Sequence, residues 1–230
     1  MLRILHRTFS KFEEFVKVAG KSKLPSLSKD DTERNIKDLP SFFQYVLDAA
    51  KPNKIFPERP ILGKDNLNKM ILLSKSSSDC DLLMKAYWTY CGHKLWPSRS
   101  SIELLIQACI NLDCPEKAVD LLLYHRQLRF FPSVKIINNY LKCLIDKQDY
   151  ALAITVFKII EPSMFARKNE ASYILAISAC KLSKNFRWAS RFHKRGHEKT
   201  PFSNEFYEVI EEMSKDLTPG EQVKFIKKPN

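Results

Sequence analysis

The side chains of this chain that could do chemistry are six cysteines, five histidines and scattered carboxylates. Two local pairs could share a metal ion, Cys91 with His93 and His193 with His197, because histidines four residues apart lie on one helix face. Neither pair has a second ligand pair at a suitable spacing, and Gly196 is expected to end the helix before His197. The sequence therefore predicts no catalytic residue, no metal and no cofactor.

The six cysteines never occur at a C-x-x-C spacing, and no secretory h-region accompanies them (Cys80, Cys91, Cys109, Cys114, Cys143 and Cys180). Such usage is typical of a reducing or mixed compartment. Cys109, Cys143 and Cys180 recur near one place in successive helical patterns, where a small apolar side chain packs well. We therefore expect free thiols, with these three serving as buried packing residues.

Basic side chains are the clearest candidates for binding. The net charge of the chain is +12. Residues 168 to 200 hold eight basic and two acidic side chains, so this segment carries a net charge of +6, half of the total. Cations on this segment are predicted to contact RNA phosphates without base preference. They are Lys184, Arg187, Arg191, Lys194 and Arg195. A solvated face without a partner is the alternative.

Length and composition limit the classes of protein to which the chain could belong. A chain of 230 residues favours one elongated or lobed body. Only 5 glycines against 12 prolines argue against a nucleotide-binding enzyme with glycine-rich loops. The longest apolar runs are a few residues long and soon interrupted by charge, so no transmembrane helix is expected.

A repeat of about 35 residues must position these side chains. Pro97 and Pro132 are 35 residues apart, and each follows an aromatic residue and precedes a serine. Ala118 and Ala153 are also 35 apart, and Ala189 follows 36 later. Each unit holds two amphipathic helical patterns joined by a polar turn, and the small alanine allows close helix contact. The predicted fold class is all-α, a right-handed solenoid of about four stacked helical hairpins.

Several segments of these units resemble pentatricopeptide repeats, the helical-hairpin RNA-binding repeats of organelles. They are the aromatic-Pro-Ser junctions, LLIQAC and AISAC, IINNYL, and EKAVDLL. The resemblance covers roughly residues 62 to 212. Within the family, the chain is similar in particular to short animal mitochondrial members, which include transcript-maturation factors and a protein of the small mitoribosomal subunit. The tetratricopeptide repeat, a protein-binding scaffold, is the alternative, but the paired Gly and Tyr of its first helix are missing.

The resemblance also implies which side chains would read RNA bases. In the family, one residue early in each first helix and the last residue of the unit read one base together. Those pairs are Glu103 with Ser133 and Asn138 with Asn169, whereas the third unit presents Ile174. The asparagine pair would favour a pyrimidine, because an amide both donates and accepts. A surface amide without a ligand is the alternative for Asn138.

The N-terminal 60 residues differ from the repeats. Residues 1–20 have the pattern of a mitochondrial presequence, with an apolar stripe, an arginine and lysine stripe and no acid before Glu13. An ordinary amphipathic helix is the alternative. Residues 21–60 are expected to be a linker with one short helix, FFQYVLDAA, whose N-cap would be Ser41. The helical repeat domain should then span residues 61–212, and residues 213–230 should be a C-terminal tail.

Charge, repeat and resemblance together indicate a non-enzymatic protein of the mitochondrial matrix that binds mitochondrial mRNA or rRNA. It would support transcript processing, stability or translation within a ribonucleoprotein complex. A structural subunit of the mitochondrial ribosome is the first alternative. A tetratricopeptide-like protein scaffold is the second, and it would leave the basic segment unexplained.

Overall fold

The structure is a computed structural model that describes residues 38–51, 66–126, 130–163, 169–199 and 202–225. Every regular element among these residues is helical, which confirms the all-α prediction. None of the described helices combines the length and the apolar character needed to cross a membrane. The predicted presequence, residues 1–20, lies outside the described residues.

Eleven α-helices form within the described ranges. They are α1 Leu39–Ala50, α2 Asn66–Leu73, α3 Asp79–Gly92, α4 Arg99–Asn111, α5 Val119–Leu123, α6 Val134–Asp146, α7 Tyr150–Ile160, α8 Glu170–Leu182, α9 Phe186–Lys199, α10 Asn204–Ser214 and α11 Pro219–Phe225. A 3₁₀ turn, Pro115–Ala118, leads into α5, and a second, Glu161–Ser163, follows α7.

The helices pack in two rows. In the first row α2, α4, α6, α8 and α10 contact one another in chain order. In the second row α1 contacts α3, α5 contacts α7, and α9 contacts α11. Each of α2, α4, α6 and α8 also contacts the helix or helical turn that follows it. Every element therefore packs mainly on its near neighbours in the sequence.

One apolar core runs between the two rows. Ala118, Ala153 and Ala189, the alanines predicted to allow close helix contact, are fully buried. The ring of Phe157 meets the rings of Tyr173 and Phe192 at centroid distances of 5.1 and 4.9 Å, which joins α7 to α8 and α9. Edge-to-face contacts of this kind are favourable beyond the apolar area they bury.

The turns inside the helix pairs repeat one backbone motif. Asp113, Gln148 and Lys184 adopt left-handed φ values of 61, 62 and 55°. After each of them, a backbone N–H donates to the carbonyl five residues earlier, at 2.9 Å (Cys114 to Cys109), 2.8 Å (Asp149 to Leu144) and 2.7 Å (Asn185 to Cys180). This is the Schellman motif that ends many helices. Its spacings of 35 and 36 residues equal the period found in the sequence.

Four helices of the first row, α4, α6, α8 and α10, also begin alike. A side-chain oxygen accepts the backbone N–H of the third following residue at 3.1 to 3.4 Å, and the capping residues are Ser98, Ser133, Asn169 and Ser203. Such an N-cap satisfies a backbone donor that the helix itself leaves without an acceptor. The aromatic-Pro-Ser junctions of the sequence are therefore the starts of α4 and α6.

The first helix differs from the prediction at its N-terminus. Asp38, and not Ser41, is the N-cap of α1, because its carboxylate accepts the backbone N–H of Ser41 at 2.8 Å. Pro40 lies in the first turn, where a missing N–H costs nothing. α1 packs on α2 and α3, and Phe42 and Val46 are fully buried. The packed body thus begins within the segment predicted to be a linker.

The predicted C-terminal tail, residues 213–230, contains the whole of α11. This helix contacts α9, and Phe225 is fully buried with its carbonyl accepting the Ser190 hydroxyl at 3.0 Å. The backbone N–H and the hydroxyl of Thr218 both donate to the Glu221 carboxylate, at 3.0 and 2.9 Å. A Thr-x-x-Glu capping signal was therefore present in the sequence.

A disulfide joins Cys80 to Cys114, so the prediction of free thiols is wrong for this pair. Cys80 lies in the first turn of α3 and Cys114 precedes the 3₁₀ turn after α4, so the bond links two neighbouring helix pairs. The other cysteines are free; Cys109 and Cys180 are buried as expected, whereas Cys143 is only half-buried. Burial raises the pKa of both thiols to about 12, so they stay protonated at neutral pH.

Candidate nucleic-acid interface

The predicted site residues fall into two groups on different helices. We call the first group the N-terminal edge; it lies at the beginnings of α4, α6 and α8 and consists of Glu103, Ser133, Asn138 and Asn169. We call the second group the basic face; it lies at and along α9 and consists of Lys184, Arg187, Arg191 and Lys194. Arg195, the remaining predicted phosphate contact, has a different environment, described below.

The first predicted base-reading pair is in contact. Glu103 Oε1 accepts the backbone N–H of Ser133 at 2.7 Å, although the two residues are 30 apart in sequence. The same carboxylate oxygen lies 3.1 Å from Arg99 Nε. Ser133 Oγ accepts the backbone N–H of Ile136 at 3.4 Å as the N-cap of α6. The Glu103 carboxylate therefore holds α4 to the start of α6, and the Ser133 hydroxyl is already used as the cap of α6.

The asparagine pair is engaged in the same way. Asn138 Nδ2 donates to Asn169 Oδ1 at 3.3 Å, and the Ser172 hydroxyl donates to Asn138 Oδ1 at 2.5 Å. Asn169 Oδ1 also accepts the backbone N–H of Ser172 at 3.1 Å as the N-cap of α8. Pyrimidine reading needs an amide that both donates and accepts, and both amide oxygens have donors within the fold.

A third contact of this kind is formed by Glu170, a residue that the sequence did not single out. The Glu170 carboxylate accepts both the backbone N–H and the hydroxyl of Ser203, at 2.7 Å each. It joins α8 to the start of α10, as Glu103 joins α4 to α6. Ile174, which occupies the predicted reading position of this unit, packs against the core. With Glu170 added to it, the N-terminal edge contains two carboxylates and two amides that bridge successive repeats.

The basic face has the opposite character. Ala189 and Phe192 are fully buried, as predicted, and all four cations of the basic face are exposed. No Asp or Glu occurs between residues 184 and 197. Within the described ranges none of the four forms a salt bridge. Their charge is therefore available to a partner.

Trp188 extends this face toward α7. Its ring centroid lies 4.8 Å from Arg191 Cζ and 4.3 Å from Lys158 Nζ. Cations at such distances are attracted to the negative face of an indole ring. The contact orients Arg191 and adds Lys158 to the basic surface without neutralising either charge. Aromatic rings and cations together are also what single-stranded RNA sites use.

Arg195 forms an ion pair with a buried carboxylate, that of Glu161. Its Nη1 lies 2.8 Å from Glu161 Oε2, and the Glu161 side chain is only 1% exposed. The Tyr173 hydroxyl donates to the other carboxylate oxygen at 3.3 Å. A buried carboxylate needs a countercharge, because desolvation without one costs several kcal/mol. We therefore do not count Arg195 among the available phosphate contacts.

The buried His193 of α9 adds no cation to the basic face. His193 is 3% exposed, and burial lowers its pKa, so the ring is neutral at physiological pH. His197 is hydrogen-bonded through Nδ1 to the Tyr207 hydroxyl at 2.5 Å. The two imidazole rings lie 6.5 Å apart in a stacked arrangement. They pack the α9–α10 contact, where Phe206 also lies.

Comparisons with protein-family models, with curated proteins and with solved structures find no match to this chain. No relative therefore assigns a role to either surface. The case for a function depends on the charge, exposure and hydrogen bonding of the residues described above.

Proposed function

We propose that this protein is a mitochondrial RNA-binding protein of the pentatricopeptide-repeat type, and that it contacts RNA phosphates through the basic face. The observation that carries the proposal is a group of four exposed cations, one just before α9 and three on it, in a stretch that includes no acid from residue 184 to residue 197. Exposed cations gain affinity for RNA by releasing the counterions that surround its phosphates. They do so whatever the base sequence.

The proposal includes a specific arrangement of the helices, a right-handed solenoid of stacked hairpins. Two rows of helices that contact their neighbours in chain order support it, as do the turn motif and the N-cap that recur at 34 to 36 residues. In a solenoid each unit packs on the next, so an extended surface forms along the row. The basic face would lie on the second-helix side of that surface.

Base selection is a small part of the proposed activity. The N-terminal edge offers two carboxylates, which repel phosphate, and two amides whose oxygens already accept hydrogen bonds. A base would have to displace these internal bonds and leave their partners, among them the buried Ser172 hydroxyl, unsatisfied. We therefore propose that the protein supports transcript processing, stability or translation within a larger ribonucleoprotein complex that supplies sequence selection.

A structural subunit of the small mitoribosomal subunit is the alternative, and the position of the charge favours it. Single strands would lie along the first-helix side in the family this chain resembles, whereas the basic face is on α9, a second helix. Cations there suit docking on folded RNA. A protein scaffold of the tetratricopeptide type would leave the four exposed cations without a partner.

The experiment is a salt titration of RNA binding by the full chain. Replacing Arg187, Arg191 and Lys194 by Gln should reduce the slope of log affinity against log salt by roughly 0.7 per lost contact on single strands, or about 2 in total. The loss should be the same for all RNA sequences. An unchanged slope would mean that these cations are only solvated and would refute the proposal.

A matched control uses three other exposed lysines. Lys75, Lys85 and Lys94 lie on or beside α3, remote in sequence from α9. Replacing these three by Gln removes the same net charge and should leave the salt slope close to that of the unmodified protein. An equal reduction in both variants would assign binding to net charge and not to the basic face.

Location and assembly need a separate experiment. Deleting residues 1–20 should leave the protein in the cytosol if they form the import signal. In sucrose gradients of mitochondrial lysate, the protein should migrate in an RNase-sensitive complex. Comigration with the small ribosomal subunit at near-equal stoichiometry would select the ribosomal alternative, and a lighter complex with mRNA would select transcript maturation.

A further inference from the structure

Three buried sulfur atoms meet between the first two helix pairs. The Sγ atoms of Cys80, Cys109 and Cys114 all lie within 4.8 Å of one another. The three residues are 0, 0 and 3% exposed, respectively. Two of the sulfurs form the disulfide, and the third, on Cys109, is a free thiol beside it. The proposed function makes no use of this cluster.

The fold brings together two cysteines that are close in the sequence, Cys109 and Cys114, and a distant one, Cys80. The Schellman bond from the Cys114 N–H to the Cys109 carbonyl, 2.9 Å, holds these two residues at the end of α4. Helices usually place an apolar pair in this position. Cys80 arrives from α3, which packs on the 3₁₀ turn that follows Cys114. An ion pair between Lys117 and Asp81, 2.7 Å, spans the same contact.

Three sulfurs around one point form a ligand set for a thiophilic metal ion. Thiolates select Cu(I) and Zn²⁺ among the common ions. Structural zinc sites have four protein ligands, whereas this cluster offers three. The Cα atoms of Cys80 and Cys114 are 7.3 Å apart, beyond the roughly 4.4–6.8 Å of most disulfides. An ion that bridges the sulfurs accommodates such a separation.

We propose that the reduced form of this cluster binds one Cu(I) ion through the Sγ atoms of Cys80, Cys109 and Cys114. A dithiol reductant first gives two electrons and two protons to the disulfide sulfurs and becomes a disulfide itself. The ion then displaces the thiol protons to solvent as the Cu–S bonds form, and copper stays Cu(I). Cys80 lies in the first turn of α3, where the helix dipole favours negative charge on the ligands.

The test titrates Cu(I), under anaerobic conditions, into the reduced full chain in competition with a chromophoric Cu(I) chelator. The unmodified protein should withhold one equivalent from the chelator. Cys109→Ser removes one ligand and leaves the disulfide pair intact, so it should weaken binding at least tenfold. Cys143→Ser removes a free cysteine outside the cluster and should bind like the unmodified protein.

Two further measurements decide the outcome. X-ray absorption of the loaded protein should show three sulfur neighbours around copper, and Cu(I) should raise the melting temperature of the unmodified chain but not of Cys109→Ser. If Cys109→Ser does not fold, Cys80→Ser and Cys114→Ser take its place. Unchanged affinity in every folded variant, no withheld copper, or displacement of Cu(I) by equimolar Zn²⁺ would overturn the proposal.

Discussion

The N-terminal edge and the basic face are both polar surfaces of one helical body, and they differ in what satisfies their side chains. At the edge, Glu103 and Asn138 hydrogen-bond to groups of the following repeat. On the basic face, Arg187 and Lys194 have only solvent around their charges within the described part of the chain. A side chain with an internal partner must give it up before it binds a ligand. Availability, and not residue type alone, therefore separates a binding surface from a structural one.

The largest expected loss of stability comes from replacing Arg195, which belongs by sequence to the basic stretch but has an internal partner. Arg195→Ala leaves the buried Glu161 carboxylate without its countercharge. We expect a loss of about 3 kcal/mol in the free energy of unfolding, near the low end for breaking a buried ion pair, because the arginine is half exposed. Urea denaturation monitored by circular dichroism measures it.

The neighbouring exposed cation provides the control. Lys194→Ala should change stability by no more than about 0.5 kcal/mol, as surface substitutions usually do, while weakening RNA binding. Equal destabilisation by the two substitutions would mean that the Glu161 pair contributes nothing and that Arg195 belongs to the basic face after all.

The next effect concerns Asn138. Asn138→Ala removes the acceptor of the Ser172 hydroxyl and one donor to Asn169, so we expect a stability loss of about 1 kcal/mol. Affinity for uridine and adenosine homopolymers should stay the same. A loss confined to pyrimidine ligands would restore base reading at this position and weaken the contrast between the surfaces.

The buried histidines predict a dependence on pH. Burial lowers the pKa of His125 and His193 in the folded state, while the unfolded chain titrates near the usual value of about 6.5. The unfolded state therefore binds more protons below that pH, and stability should fall as the pH drops from 6.5 toward the folded-state values. Denaturation midpoints at several pH values measure this, and His193→Gln should reduce the dependence. A midpoint that rises on acidification would contradict the assignment of neutral rings.

Glu103→Gln should have the smallest effect. The amide oxygen can still accept the Ser133 N–H, so stability should stay within about 0.5 kcal/mol of the unmodified protein. RNA affinity should also be unchanged, because the proposed phosphate contacts lie on the basic face and not at this edge. A clear rise in affinity on loss of the negative charge would instead place the phosphate backbone beside Glu103.

The recurring local chemistry explains why much of the fold could be predicted. The aromatic-Pro-Ser junctions carry the N-caps Ser98 and Ser133, and the small alanines mark the helix contacts, so period and helix pairs are visible in one sequence. α11 was not predicted because its seven residues show too little periodicity, although the Glu221 carboxylate accepts the Thr218 N–H as in one half of a capping box.

The candidate site was harder to predict, because availability depends on partners far away in sequence. Arg195 lies in the same cationic run as Lys194, and only the fold brings it to Glu161, 34 residues earlier. The disulfide depends similarly on contact between α3 and the turn after α4. Sequence spacing identifies side chains that could act, and tertiary contacts determine which of them are already in use.

Ultraviolet crosslinking in intact mitochondria, followed by mapping of the RNA-linked peptides, shows which helices of the protein contact RNA. If RNA binds the basic face, the crosslinks should concentrate in residues 184–197, around Trp188, and should diminish when Arg187, Arg191 and Lys194 are replaced by Gln. Crosslinks confined to α4 and α6, around Glu103 and Asn138, with none on α9, would contradict it.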